Sequence, residues 1–177
     1  MVNNEKECQV IPVSGIKCFD DVLETLTSNE DIKSISLVET RLYRKKSKRY
    51  STQYASSVDK AVQLGRSLFK PYYDREYIYA IAFSSKMEPL SATLLSIGGL
   101  SSALVDPGRI FSFAILSGAN SFMLFHNHIS GNPTPSKEDE SVTKRIRDCG
   151  NLMGIQLVDH IIIGESSYYS MKEGGII

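Results

Sequence analysis

The sequence predicts an α/β fold, with a layered mixed β-sheet flanked by helices. Two observations carry that expectation. From about residue 55 onward, β-branched and aromatic runs alternate with segments whose apolar residues recur at helical spacing. Some of the runs lie close enough to pair as hairpins while others are separated by a helix, which mixes antiparallel with parallel neighbours.

The elements follow in order. SSVDKAVQLGRSLF opens with Ser57 as N-cap and sets Val58, Ala61, Leu64 and Leu68 on one side of a helix. REYIYAIAFSS is a strand by composition, and LSATLLSIGG is a second, stopped by Gly98 and Gly99. DPGRIFSFAILSGA places Asp106 before Pro107, a helix start, and ends at Gly118. SFMLFH is a third strand and SKEDESVTKRIRDCGNLM a long helix. IQLVDHIIIG and SSYYSM close the chain as two more strands.

Residues 1–54 read differently and form an N-terminal segment of unclear role, set apart from a domain at 55–177. FDDVLETLTS (19–28) has helical spacing and IKSISLVETRLY (32–43) alternates like a strand. A basic, polar linker follows, RLYRKKSKRYSTQ.

The bulk properties narrow the classes. A chain of 177 residues with 42% apolar and 23% charged residues can bury a core as one ordinary domain. Its 20 basic and 20 acidic residues cancel, so no global field draws it to nucleic acid or membrane. The start, MVNNEKECQV, is not that of a signal peptide, and no apolar run approaches the roughly 18 residues of a spanning helix. Cys8, Cys18 and Cys149 are scattered and odd in number, which points to a reducing cytoplasm.

The chemistry concentrates in FHNHISGNPTPSKED (125–139). At the end of an extended strand, His126 and His128 face the same side and can converge on one point. GNPTP turns the chain, and the helix that follows begins S-x-x-D with Ser136 and Asp139. Two readings fit. Ser136 and Asp139 form a capping box and nothing chemical is required. Alternatively, two histidines and a carboxylate hold a metal at an open site, with the Ser136 hydroxyl aimed at the catalytic water or a developing oxyanion.

HNHISGNPTPSKED resembles the metal-binding motif of the JAMM (MPN-type) metallohydrolases, and more closely that of their RadC-like branch. The likeness extends over about 55–177 through SIGGLSSALVDP, AILSGANSFMLFHNH and GIQLVDHIIIG. It implies a JAMM/MPN domain of cytidine-deaminase-like architecture and a zinc ion (Zn2+) held by His126, His128 and Asp139. It also implies Ser136 as the catalytic hydroxyl and a peptide or isopeptide bond in a protein or peptide substrate. The family's general base is a glutamate, sought five residues before the glycine of the S-I-G segment. That position is Thr93 here, which predicts weakened or altered activity. Glu88, five residues further back, would face the other side of its strand. Ile129 and Asp106 stand where close relatives carry proline and histidine, and Gly108 where they carry glutamate.

Three other features carry weaker signals. His160 is expected to be a hydrogen-bonded structural residue, with a place beside the metal as the alternative. Cys149 reads as a free buried thiol. Arg41, Arg44, Lys45, Lys46, Lys48 and Arg49 surround Tyr43 in a run that reads as a solvated loop, with phosphate binding as the minor reading. The expected function is therefore a zinc metallopeptidase-like hydrolase. A non-catalytic, metal-stabilised interaction module is the second reading and a DNA-associated protein the third. The sequence carries no signature of the oligomeric state.

Overall fold

The computed structural model describes residues 55, 57–69, 75–98 and 105–177. The helix expected at 19–28, the strand at 32–43 and the basic run at 41–49 lie outside the described residues. Within them the order is α1 (Val58–Arg66), β1 (Tyr77–Phe83), β2 (Pro89–Ile97), α2 (Pro107–Leu116), β3 (Ser121–Asn127), α3 (Lys137–Met153), β4 (Gln156–Ile163) and β5 (Tyr168–Ser170).

Each helix starts where a short polar side chain can take a free backbone N–H. Ser57 accepts from the N–H of Lys60, and Asp106 from that of Gly108 at 2.9 Å with Pro107 behind it. Asp106 thus has a local task of its own. Ser136 and Asp139 form a reciprocal capping box at the start of α3.

The five strands lie in the order β2-β1-β3-β4-β5. β3 and β4 are parallel and are joined through α3, the kind of crossover a parallel pair needs. The other neighbours are antiparallel. This is the mixed, helix-flanked sheet that the sequence predicts. α2 and α3 cover one face, packing Ile110, Phe111, Val142 and Ile146 against Ile78, Phe122 and Leu124. α1 covers the other with Ala61, Val62 and Leu64 against Ile81, Phe125 and Ile161. With both faces covered, all seven residues of β3 are buried. Each fully buried large apolar side chain here contributes about 1.5–3 kcal/mol. α1 comes so close to β3 that a Cβ at Gly65 would run into the ring of Phe125.

One irregularity positions the site. The β3–β4 register slips between Phe122, opposite Leu157, and Met123, opposite Asp159, leaving Val158 as an extra residue. His160 therefore sits opposite Leu124, on the face that also carries His126. Without the slip it would point to the other face.

Candidate metal centre

β3 is the middle strand, and its C-terminal end delivers His126 into the buried layer under α3. His128 follows just beyond the strand, half-buried, and the turn at 129–135 returns the chain to the first turn of α3. There Asp139, buried by its capping role, meets the two imidazoles. His126 Nε2 and His128 Nε2 are 2.9 Å apart. They lie 3.5 and 3.4 Å from the two carboxylate oxygens of Asp139. Among the described residues, His126, His128 and Asp139 form the group that could hold a metal ion. Tetrahedral coordination with bonds of roughly 2.0–2.1 Å places ligand atoms about 3.3–3.4 Å apart. The three contacts bracket that spacing.

Hydrogen bonding prepares these atoms as ligands. His128 Nδ1 is 2.8 Å from the carbonyl of Asn132, which can only accept, so the proton sits on Nδ1 and Nε2 presents a lone pair. His126 Nδ1 is 2.8 Å from Nε2 of His160. With His128 Nε2 bare, two imidazole nitrogens and a carboxylate converge on one point that suits a cation, so the donor set fits a metal ion.

The charges respond to this crowding. Burial pushes His126 well below the ordinary imidazole value, aided by its neighbour His160 and opposed by Asp139. His160, fully enclosed, falls to about 4 through burial. His128 moves up, chiefly because its charged form, with a second proton on Nε2, can donate to Asp139. Burial would raise Asp139, but the His128 hydrogen bond, the charge of His126 and the bonds from Ser136 outweigh it and hold the carboxyl well below its usual range.

Ser136 is engaged with Asp139. Its hydroxyl donates to Asp139 Oδ2 at 2.7 Å and accepts from the Asp139 N–H at 3.1 Å, while its own N–H donates to the same Oδ2 at 2.7 Å. The capping box and the metal-type cluster therefore coexist in the same two residues.

Thr93 pairs with Ala80 on β2, and Ala80 with Leu124. It shares a sheet face with His126 but lies two strands away and two residues along, roughly 12 Å between Cα atoms from sheet spacings. Glu88 is at the opposite end of β1, in the turn beyond Phe83, itself paired with Ser121. Neither lies beside the histidines.

Glu76 does, although no pattern in the sequence singles it out. Ile78 pairs with His126, and continuing that antiparallel register by two residues sets Glu76 across from His128. Its carboxylate is near enough to help raise His128. Thr93 stands where the family glutamate was expected, and the acidic side chain nearest to His128 in the sheet register is Glu76, from the start of β1. The signal that could have found it is the pairing of β1 with β3. Asn127, between the two histidines, fixes that junction by accepting from Tyr77 N–H at 2.8 Å and donating to Arg75 carbonyl at 3.1 Å.

His160 is buried and hydrogen-bonded, as its place in an apolar strand predicts, and it is also directly behind His126. Its neighbour Asp159 faces the other side of the sheet, where it accepts from Ser170 Oγ at 2.6 Å and Lys172 N–H at 3.1 Å. Cys149 is a free thiol, half-buried against the α2–α3 core. Ile129 is exposed and touches none of the proposed ligands' hydrogen bonds. Gly164 backs the turn: a Cβ there would meet the Gly131 carbonyl at 2.5 Å and Pro133 at 2.9 Å, so the β4–β5 connection can lie flat against the segment that presents Asn132.

The fold is thus an α/β sheet with a histidine–histidine–aspartate group, able to hold a metal ion, at the end of its central strand. Residues 55–176 match the RadC-like JAB domain family, and the chain belongs to that family. It is similar to a UPF0758 protein of Desulfitobacterium hafniense, 45% identical over 106 residues, covering 60% of this chain and 47% of that protein. A UPF0758 protein of Clostridium novyi is 44% identical over 106 residues, covering 60% and 46%. One from Listeria monocytogenes is 44% identical over 101 residues, covering 57% and 45%. The chain spans about half the length of the curated relatives it matches. Among the described residues, no helix is long and apolar enough to cross a membrane.

Proposed function

We propose that this protein is a zinc-dependent hydrolase of amide bonds, acting on a peptide or isopeptide bond in a protein or peptide substrate. The observation that carries the reading is the convergence of His126 Nε2, His128 Nε2 and the Asp139 carboxylate, with the Glu76 carboxylate near enough to His128 to raise it. His126, His128 and Asp139 hold the ion. When bound, zinc supplies Lewis acidity that polarises a carbonyl and acidifies water.

The chain's own residues supply the rest. Glu76 takes the proton from the attacking water and returns one to the leaving amine, the role that Thr93 could not fill. Ser136 turns its hydroxyl from Asp139 toward the oxyanion that develops on the carbonyl oxygen. Asp139 keeps its backbone place in the helix cap while this happens. The free Cys149 agrees with a reducing, cytoplasmic setting.

The test uses tag-free protein. Metal content measured by mass spectrometry should be near one zinc per chain and should vanish in a His126→Ala/His128→Ala double variant. Glu76→Gln should retain the metal yet lose about 10²–10⁴-fold in cleavage rate on a panel of peptide and isopeptide substrates. A zinc-loaded wild type that cleaves nothing, or a Glu76→Gln protein as fast as wild type, would overturn the catalytic assignment.

A further inference from the structure

We propose that Thr143 and His160 are positioning residues that hold His126 in the tautomer whose Nε2 lone pair faces the metal centre. The proposal rests on the reading of His126 as a ligand and assigns the side chains that prepare it.

The direction of each hydrogen bond follows from one fixed point. The backbone carbonyl of Asp139 can accept but never donate. Thr143 Oγ1 lies 2.6 Å from that oxygen, so the only hydroxyl proton of Thr143 must point there. Two acceptors would otherwise face each other at that distance. Thr143 Oγ1 is also 2.6 Å from His160 Nδ1. With its proton already used, the hydroxyl can only accept, and His160 must carry its proton on Nδ1. A neutral imidazole has one N–H, so His160 Nε2 is bare and accepts at 2.8 Å from His126 Nδ1–H. His126 Nε2 is then bare as well, and it faces His128 and Asp139.

The relay is closed to water: Thr143, His160 and His126 are all buried. Reversing one link reverses all of them, and a proton on His126 Nε2 would occupy the place of the ion. The relay also ties the centre to itself. It begins at the carbonyl of Asp139, whose carboxylate is a ligand, and ends at His126. One residue thus serves the site through its side chain and orients a second ligand through its backbone.

The experiment reads the imidazole protons directly. Long-range proton–nitrogen NMR spectra of the full chain, recorded with chelator and then with zinc alone, should place the His160 proton on Nδ1 in both states. Thr143→Val removes the acceptor and should shift His160 toward the Nε2–H form, with zinc affinity, measured against a competing chelator, falling about 10–100-fold. Thr143→Ser keeps a hydroxyl and should restore both the proton pattern and the affinity. A merely structural Thr143 would change thermal stability and leave the proton pattern untouched. A wild-type His160 protonated on Nε2, or the same tautomer in Thr143→Val and Thr143→Ser, would overturn the proposal. The wild-type spectrum decides it even if Thr143→Val fails to fold. If no variant and no wild type binds zinc, the metal reading falls, and the spectra still settle whether the relay orients His126.

Discussion

In the metal-free protein the three imidazoles titrate in opposite senses. His160 is held at about 4 by burial, against 6.5 when unfolded. Its folded value is depressed, so its share of stability is present above pH 6.5 and is lost as the pH falls through about 4. The full difference corresponds to about 3 kcal/mol. His126 acts in the same direction for the same reason, burial. His128 opposes them, because its hydrogen bond to Asp139 raises it, and its share is lost as the pH rises instead. With two deeply buried groups against one half-exposed group, the melting temperature measured in chelator should fall between pH 6.5 and 4. His160→Gln should flatten that slope, and an unchanged slope would show that His160 does not titrate as its burial demands. The convergence of His126, His128 and Asp139 was legible in the sequence, because strand alternation and a helix cap fix where these side chains point. Glu76 and Thr143 were not, since the first depends on which strand lies beside β3 and the second on which helix residue meets β4.

Among the described residues, the elements were located within a few residues by their apolar periodicity and by their caps at Ser57, Asp106 and Ser136. What periodicity cannot supply is adjacency. β1 lies between β2 and β3, which is a hairpin on one side and a long-range pairing on the other. The slip at Val158 is likewise invisible, because an extra residue in an apolar run changes no pattern while it decides which face His160 serves. The α1–β3 contact provides a test at this scale. Gly65→Ala forces a methyl group against the Phe125 ring and should destabilise by roughly 1–3 kcal/mol in denaturant unfolding, with zinc stoichiometry retained. Combining it with Phe125→Leu should recover part of the loss. Equal losses in the single and double variants would mean that the helix can shift without strain.

For the whole molecule, an ion bound only by the native state adds stability by mass action, about 2.7 kcal/mol when free zinc is one hundred times its Kd. Adding chelator to the zinc-loaded protein should therefore lower the melting temperature, whereas the His126→Ala/His128→Ala protein should show no such change. The individual strands and helices and the cluster at the end of β3 are the parts of the molecule that the sequence expressed through local rules. The N-terminal segment had only weak periodicity to offer, and a charge run in it whose partner no local rule can name. The placement of all three proposed ligands within 126–139 has one more consequence. Closing so short a loop costs little chain entropy, so an unfolded chain can still gather the same three side chains around an ion. An ion taken up at the proposed centre would then be held, weakly, by the unfolded chain as well. The stability it confers will follow the ratio of the two affinities and will fall short of what the native Kd alone implies.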